Sequence, residues 1–114
     1  MLTLDSLKEF GVDADTGLAR CAGKEDLYFR LIKTVSVDDN YNKLVDAVNN
    51  KNYDEAFDLV HALKGVLMNL SITPLYDKIS ELTEYLRARE DRDYSGILKE
   101  ILDIREQLGD LCQD

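Results

Sequence analysis

An all-α fold is predicted for this chain of 114 residues, and three observations predict it. The composition suits helices, with 45% hydrophobic residues, 32% charged residues and a single proline. Apolar residues recur at steps of three and four, which places them on one face of a helix. Short connections separate these stretches, and this pattern favours an antiparallel up-down-up-down four-helix bundle with a short N-terminal helical arm.

The length indicates a single domain. A chain of this size can bury one substantial core but is too short for two, so residues 1–114 are expected to fold as one unit. Within that unit, residues 1–23 are expected to form the arm, and residues 24–114 are expected to form the four-helix bundle.

Glycines delimit the two short helices expected in the arm. The first is expected over residues 2–10 and breaks at Gly11. The second is expected over residues 15–21 and breaks near Gly23. Together the two pieces are expected to form an entry arm.

The first two bundle helices follow from the apolar spacing. Helix is predicted from residue 24 to about residue 50, with a kink or a break over residues 35–40, where the pattern weakens. Three asparagines between residues 49 and 52 predict a turn, because the short amide side chain competes for backbone hydrogen bonds. The next helix is expected over residues 54–70 and ends at the sequence SITP.

The starts of the last two bundle helices can be predicted from the sequence. Thr73 predicts the N-cap of the third, with Pro74 at its first helical position, where a missing amide proton costs nothing. The fourth is expected from about Tyr94, and its apolar stripe is typical of a bundle core, although an interface between subunits stays open. That stripe consists of Ile97, Ile101, Ile104, Leu108 and Leu111.

Charge and hydropathy exclude several classes of function. The net charge of −9 and the pI of about 4.5 oppose binding to nucleic acids or anionic membranes, and there is no basic patch. No apolar run approaches the ~20 residues of a membrane span, and the first residues do not have the pattern of a signal peptide. A cytoplasmic protein is therefore expected, with Cys21 and Cys112 as ordinary thiols.

The candidate site lies on the helix expected over residues 54–70, which holds the only histidine, His61. At 100° per residue the apolar side chains form a stripe centred near Leu63, and His61 lies about 160° from that centre. His61 is therefore predicted to face water. The predicted core stripe consists of Ala56, Leu59, Val60, Leu63, Val66, Leu67 and Leu70.

Four neighbours share the outer face with His61. Gly65 costs about 0.8–1 kcal/mol relative to alanine in a helix interior, so its evident gain is space beside the imidazole. Lys64 can bring an ammonium group to an anion bound there. Phe57 and Met68 are large apolar residues on a face expected to be wet, which predicts a docking surface for another protein.

This pattern indicates a nucleophilic histidine. Histidine titrates close to neutral pH, so an exposed imidazole has a ring nitrogen with a free lone pair without help from a separate base. A phosphoryl group delivered by another protein suits such a site, because its transfer needs in-line attack and charge compensation rather than elaborate covalent chemistry.

The stretch HALKGVLMNL, followed by LYDKISELTEYLR, resembles the histidine-containing phosphotransfer (HPt) domain family. The signature of that family is a histidine, then lysine three residues on, glycine four on and leucine or isoleucine nine on. The segment GVDADTGLARCAGKEDLYFRLI is similar to the lead-in of the family, so the resemblance covers nearly the whole chain. It departs just after Gly65, where the family often has serine or alanine and this chain has the bulky residues Val66, Leu67 and Met68. It also departs at Ser71, where the family usually has glycine.

The resemblance implies a phosphorelay role. His61 would accept a phosphoryl group on Nε2 from the aspartyl phosphate of a receiver domain and pass it to another receiver. Lys64 would offset phosphoryl charge, and Gly65 would provide steric clearance. Response-regulator receiver domains, and a hybrid sensor histidine kinase, are the implied partners of a monomer. The chain would be a phosphocarrier without autokinase activity and without a cofactor, since the receiver supplies Mg²⁺.

Two further hypotheses remain open. The chain could be an adaptor that is never phosphorylated and uses the Phe57–Met68 surface to bind a protein. It could also hold a metal, because Asp58 precedes His61 by three residues, although sites of that kind in helical bundles use two histidines and inward-facing carboxylates.

Overall fold

The computed structural model of the chain describes residues 2–113. Over these residues it contains seven α-helices and no strand, which confirms the all-α class. The helices are α1 (Leu4–Phe10), α2 (Ala14–Arg20), α3 (Glu25–Ser36), α4 (Asn40–Asn49), α5 (Tyr53–Asn69), α6 (Thr73–Arg87) and α7 (Ser95–Leu111).

The N-terminal arm consists of α1 and α2, as predicted. Thr3 and Ser6 form a reciprocal capping box at the start of α1, which satisfies backbone amides that have no partner inside the helix. The helix ends at Gly11, whose φ of 100° lies in the left-handed region that favours glycine. The arm is attached to the rest of the fold at both helices, because α1 packs against α7 and α2 packs against α3.

The long helix predicted from residue 24 to about residue 50 is broken, and α3 and α4 are separate. Arg105 of α7 explains how the break is stabilised. Its guanidinium donates hydrogen bonds to the carbonyl oxygen of Ser36 (3.0 Å), the last residue of α3, and to that of Asp38 (3.3 Å), in the connection to α4. The same group lies 4.9 Å from the centroid of the Tyr41 ring on α4. One arginine therefore joins α7 to both sides of the break.

The corner between α5 and α6 begins one residue earlier than predicted. Thr73 is the first residue of α6 and not its N-cap, so that prediction is wrong, and Pro74 is the second residue. Ile72 occupies the N-cap position because its side chain is fully buried, and this burial fixes where the chain enters the helix. The Thr73 hydroxyl instead donates to the carbonyl oxygen of Ser71 at 3.4 Å.

Adjacent helices share one hydrophobic core. Helix α4 packs on α5, α5 on α6, α6 on α7 and α7 on α3. On α7 the apolar stripe faces this core, with Leu98, Ile101 and Leu108 buried and Ile97 and Ile104 partly buried against them. Within residues 2–113 no helix is both long enough and apolar enough to cross a membrane.

Candidate functional site

The histidine helix, α5, presents one buried face and one open face. Asn52 caps its start by accepting a hydrogen bond from the Glu55 amide. Ala56, Val60, Leu63 and Leu67 are buried, as the predicted stripe requires. Val66 was assigned to the same stripe, and this assignment is wrong, because 43% of its surface is exposed. The buried arc is displaced toward the Val60 side of Leu63, and so Val66 falls outside it.

His61 lies on the open face and is exposed, as the helical wheel predicts. Within residues 2–113 its imidazole has no hydrogen-bond or ion-pair partner. One turn further along, a Cβ placed on Gly65 would have no protein atom within 4 Å apart from its own helix backbone. The space beside the imidazole is therefore open, and both ring nitrogens are available to a molecule that approaches from solvent.

Lys64 is half-buried beside this face and points toward α6. Its ammonium nitrogen lies 5.9 Å from the centroid of the Tyr76 ring, within the range of a cation–π contact. Lys64 makes no ion pair with any residue that the structure describes. The histidine helix therefore places one cation, without a carboxylate partner, one turn from His61.

Tyr76 is not among the site residues predicted from the sequence, although the spacing of α5 and α6 contains a signal for its position. Residues 64 and 76 are each six positions from Leu70, at the corner between α5 and α6. In an antiparallel pair of helices, residues equally far from the corner lie at the same level. Once α5 and α6 are taken as such a pair, Tyr76 is expected close to the level of Lys64, and only the packing of the two helices shows that the side chains meet.

Phe57 is less accessible than predicted. It is half-buried against the core, and the guanidinium carbon of Arg87 lies 5.9 Å from the centroid of its ring. It lines an open groove of about 300 Å³ between α5 and the end of α6. Both arginines of this groove are ion-paired, Arg87 with Glu84 and Arg89 with Asp54. Phe57 therefore belongs to a helix seam rather than to a fully wet face.

Met68 is open, with 52% of its surface exposed. It lines a second groove of about 280 Å³, to which α2 contributes Arg20 and α6 contributes Tyr76. The Arg20 guanidinium donates to the Met68 carbonyl oxygen, so the arm is tied to the end of α5. Phe57 and Met68 are separated by 11 residues, about 16 Å along a helix, and thus lie on either side of His61 instead of forming one patch.

Two other kinds of site, a metal site and a disulfide, involve the acidic residues and the cysteines. Over residues 2–113, no three side chains of His, Cys, Asp or Glu are grouped as a metal site would require. Cys21 is buried, Cys112 is half-buried, and both are free thiols, as predicted.

Comparisons with models of protein families, with curated proteins and with solved structures find no match in any of the three.

Proposed function

We propose that this chain is a histidine phosphotransfer protein of a two-component phosphorelay. It accepts a phosphoryl group on His61 from the aspartyl phosphate of one receiver domain and passes it to another. The observation that carries the proposal is an exposed imidazole without a protein partner, beside a helical glycine with open space around it. A purely structural helix gains nothing from glycine at that position, because alanine would stabilise it by about 1 kcal/mol.

The chemistry needs little from this chain. Nε2 of His61 attacks the phosphorus in line with the acyl phosphate oxygen, and the P–N bond forms as the P–O bond breaks. The bonding electron pair leaves with the receiver's aspartate as a carboxylate. The proton on Nδ1 stays in place, and the reverse sequence passes the phosphoryl group to the next receiver. In this proposal the receiver binds the Mg²⁺, and the chain is a carrier without autokinase activity or a cofactor of its own.

Lys64 and Gly65 serve that transfer in different ways. The Lys64 ammonium, which has no carboxylate partner within residues 2–113, offsets negative charge on the phosphoryl oxygens. The absence of a side chain on Gly65 lets the active site of a receiver approach the imidazole. The exposed apolar side chain of Met68 then provides contact area at the rim of the interface.

The finer architecture belongs to the same proposal. We infer an antiparallel up-down-up-down four-helix bundle in which α3 and α4 together take the place of the first helix. The order of contacts supports it, because α4, α5, α6 and α7 pack in sequence and α7 returns to α3. We expect the chain to act as a cytoplasmic monomer that binds receiver domains, including one in a hybrid sensor histidine kinase.

An adaptor function is the second candidate, and the exposure of Val66 and Met68 favours it. Large apolar side chains on an outer helix face provide contact area for a protein partner whether or not phosphate is transferred. An adaptor would bind its partner equally well with and without an imidazole at position 61.

The test is transfer from a phosphorylated receiver domain to the purified protein, measured as acid-labile, base-stable label on this chain. We expect label on the wild type and none on His61→Gln. Lys64→Gln is expected to slow the transfer, whereas Lys78→Gln, at a lysine already paired with Glu100 at 2.8 Å, is not. If receivers that bind the chain stably transfer no label to it, and His61→Gln binds them equally well, the adaptor is the better description.

A second pair of variants tests the clearance at Gly65. Gly65→Ala is expected to lower the rate of transfer from a receiver, and Gly96→Ala, at another helical glycine with open space around it, is expected to leave the rate unchanged. Equal rates for these two variants would remove Gly65 from the site.

A further inference from the structure

We propose that Tyr76 is a positioning residue for the phosphoryl-transfer site. Its ring holds the Lys64 ammonium beside His61 without neutralising the charge. This inference rests on the proposed function, and it adds a residue on α6 to a site otherwise built from α5 alone.

The contact joins two helices whose relative position is fixed. Tyr76 lies in the first turns of α6, and its amide donates to the Ile72 carbonyl oxygen at 2.9 Å. Ile72 and Leu75, on either side of that turn, are fully buried, so the core holds the start of α6. The half-buried ring of Tyr76 therefore stands on a turn of helix that the core holds in place, and the flexible Lys64 side chain can move to contact it.

Lys64 has an aromatic partner, whereas two cations of α6 have carboxylate partners. Lys78 is paired with Glu100, and Arg87 with Glu84. A carboxylate in contact with Lys64 would likewise compete with a phosphoryl group for the ammonium. An aromatic face attracts the cation through its quadrupole but carries no net charge, so the attraction for an incoming phosphoryl group is kept. The ammonium has three donors, and contact with a ring leaves donors free for phosphoryl oxygens.

The expected effect is modest because lysine is flexible. A free lysine side chain samples many rotamers, and only some of them bring the ammonium to the site. A cation–π contact at an exposed site favours the held geometry roughly two- to fivefold. Loss of the ring should slow phosphorylation of His61 by a similar factor, and a phenylalanine ring should restore most of the rate.

The test compares Tyr76→Leu with Tyr76→Phe and uses two measurements. The first is the NMR shift of the Lys64 ε-methylene protons, which a ring above them moves upfield. The second is the rate of His61 phosphorylation by phosphoramidate, a small donor that needs no docking surface, with His61→Gln as the blank. Far-ultraviolet circular dichroism establishes that each variant is folded, and Tyr85→Leu, at another half-buried tyrosine of α6, is the matched control.

We expect the upfield shift in the wild type and in Tyr76→Phe but not in Tyr76→Leu, and a two- to fivefold lower rate only in Tyr76→Leu. A wild-type shift equal to that of Tyr76→Leu would show that the ring does not hold Lys64, whatever the function of the chain. Equal rates despite a lost shift would show that the contact does not serve the transfer. A wild type that keeps the shift, yet is labelled neither by phosphoramidate nor by any receiver, would overturn the proposed function and with it the role of Tyr76.

Discussion

The phenolic hydroxyl of Tyr28 donates a hydrogen bond of 2.8 Å to the carbonyl oxygen of Leu70. Tyr28 is fully buried on α3, and Leu70 is the C-cap of the histidine helix, so the bond attaches α3 to the corner beside the candidate site. Gly17 of α2 lies against both groups. A Cβ on Gly17 would come within 2.6 Å of the Leu70 carbonyl oxygen and closer still to the Tyr28 hydroxyl. The arm therefore packs at a point where only glycine fits.

Gly17→Ala is expected to destabilise the protein by roughly 1–3 kcal/mol, because the added methyl group meets backbone that cannot move easily. Urea denaturation followed by circular dichroism measures this change. Gly65→Ala is the control, and it should stabilise the fold by about 1 kcal/mol, since it gains helix propensity and meets open space. If Gly17→Ala also stabilised the protein, the close approach of α2 would be refuted.

Two buried tyrosines should respond differently to loss of the hydroxyl. Tyr28→Phe leaves the Leu70 carbonyl without its buried donor and should cost roughly 1–2 kcal/mol. The free energy of unfolding of Tyr41→Phe should lie within about 0.5 kcal/mol of the wild-type value, because the buried Tyr41 hydroxyl has no hydrogen-bond partner among the described residues. Chemical denaturation of the two variants side by side checks the contrast, and equal losses would contradict it.

The same tyrosines predict a loss of stability at alkaline pH. Burial raises the pKa of Tyr28 to about 12, and the nearby charges of Cys21 and Asp13 add to the shift. Burial, with the Asp38 carboxylate, also raises the pKa of Tyr41. In the unfolded chain both groups ionise near pH 10, so the stabilisation is complete below pH 10 and falls as the pH rises toward 12.

The loss expected from Tyr28 alone is on the order of 2–3 kcal/mol by pH 12. Denaturation curves between pH 8 and 12 measure it, and Tyr28→Phe is the control, because it should show a shallower decline. A decline of the same steepness in wild type and variant would show that Tyr28 ionises equally easily in both states.

Ser71→Gly is expected to stabilise the chain by roughly 0.5–1 kcal/mol, because Ser71 has a φ of 58°, in the left-handed region that disfavours a side chain. Thermal unfolding measures the gain. Ala62→Gly, at an exposed position in the interior of α5, should instead lose about 1 kcal/mol, and a gain there too would point to a cause other than backbone conformation.

The histidine helix shows how far the sequence can be interpreted. Its predicted bounds, residues 54–70, differ by one residue at each end from those of α5, and His61 faces solvent as expected. Helical period depends on the chain alone, so the direction of each side chain could be calculated. The exposure of Val66 could not, because the edge of a buried face depends on how neighbouring helices cover it.

The sequence predicts the all-α class, the end of α1 at Gly11, the outward direction of His61 and the lysine and glycine beside it. The contacts between helices are visible only in the folded chain: Tyr76 with Lys64, Arg105 with the break after α3, and Tyr28 with the end of α5. The reason is physical. Local periodicity sets the face on which a residue lies, whereas its partner depends on the register between helices, and packing of the whole core sets that register.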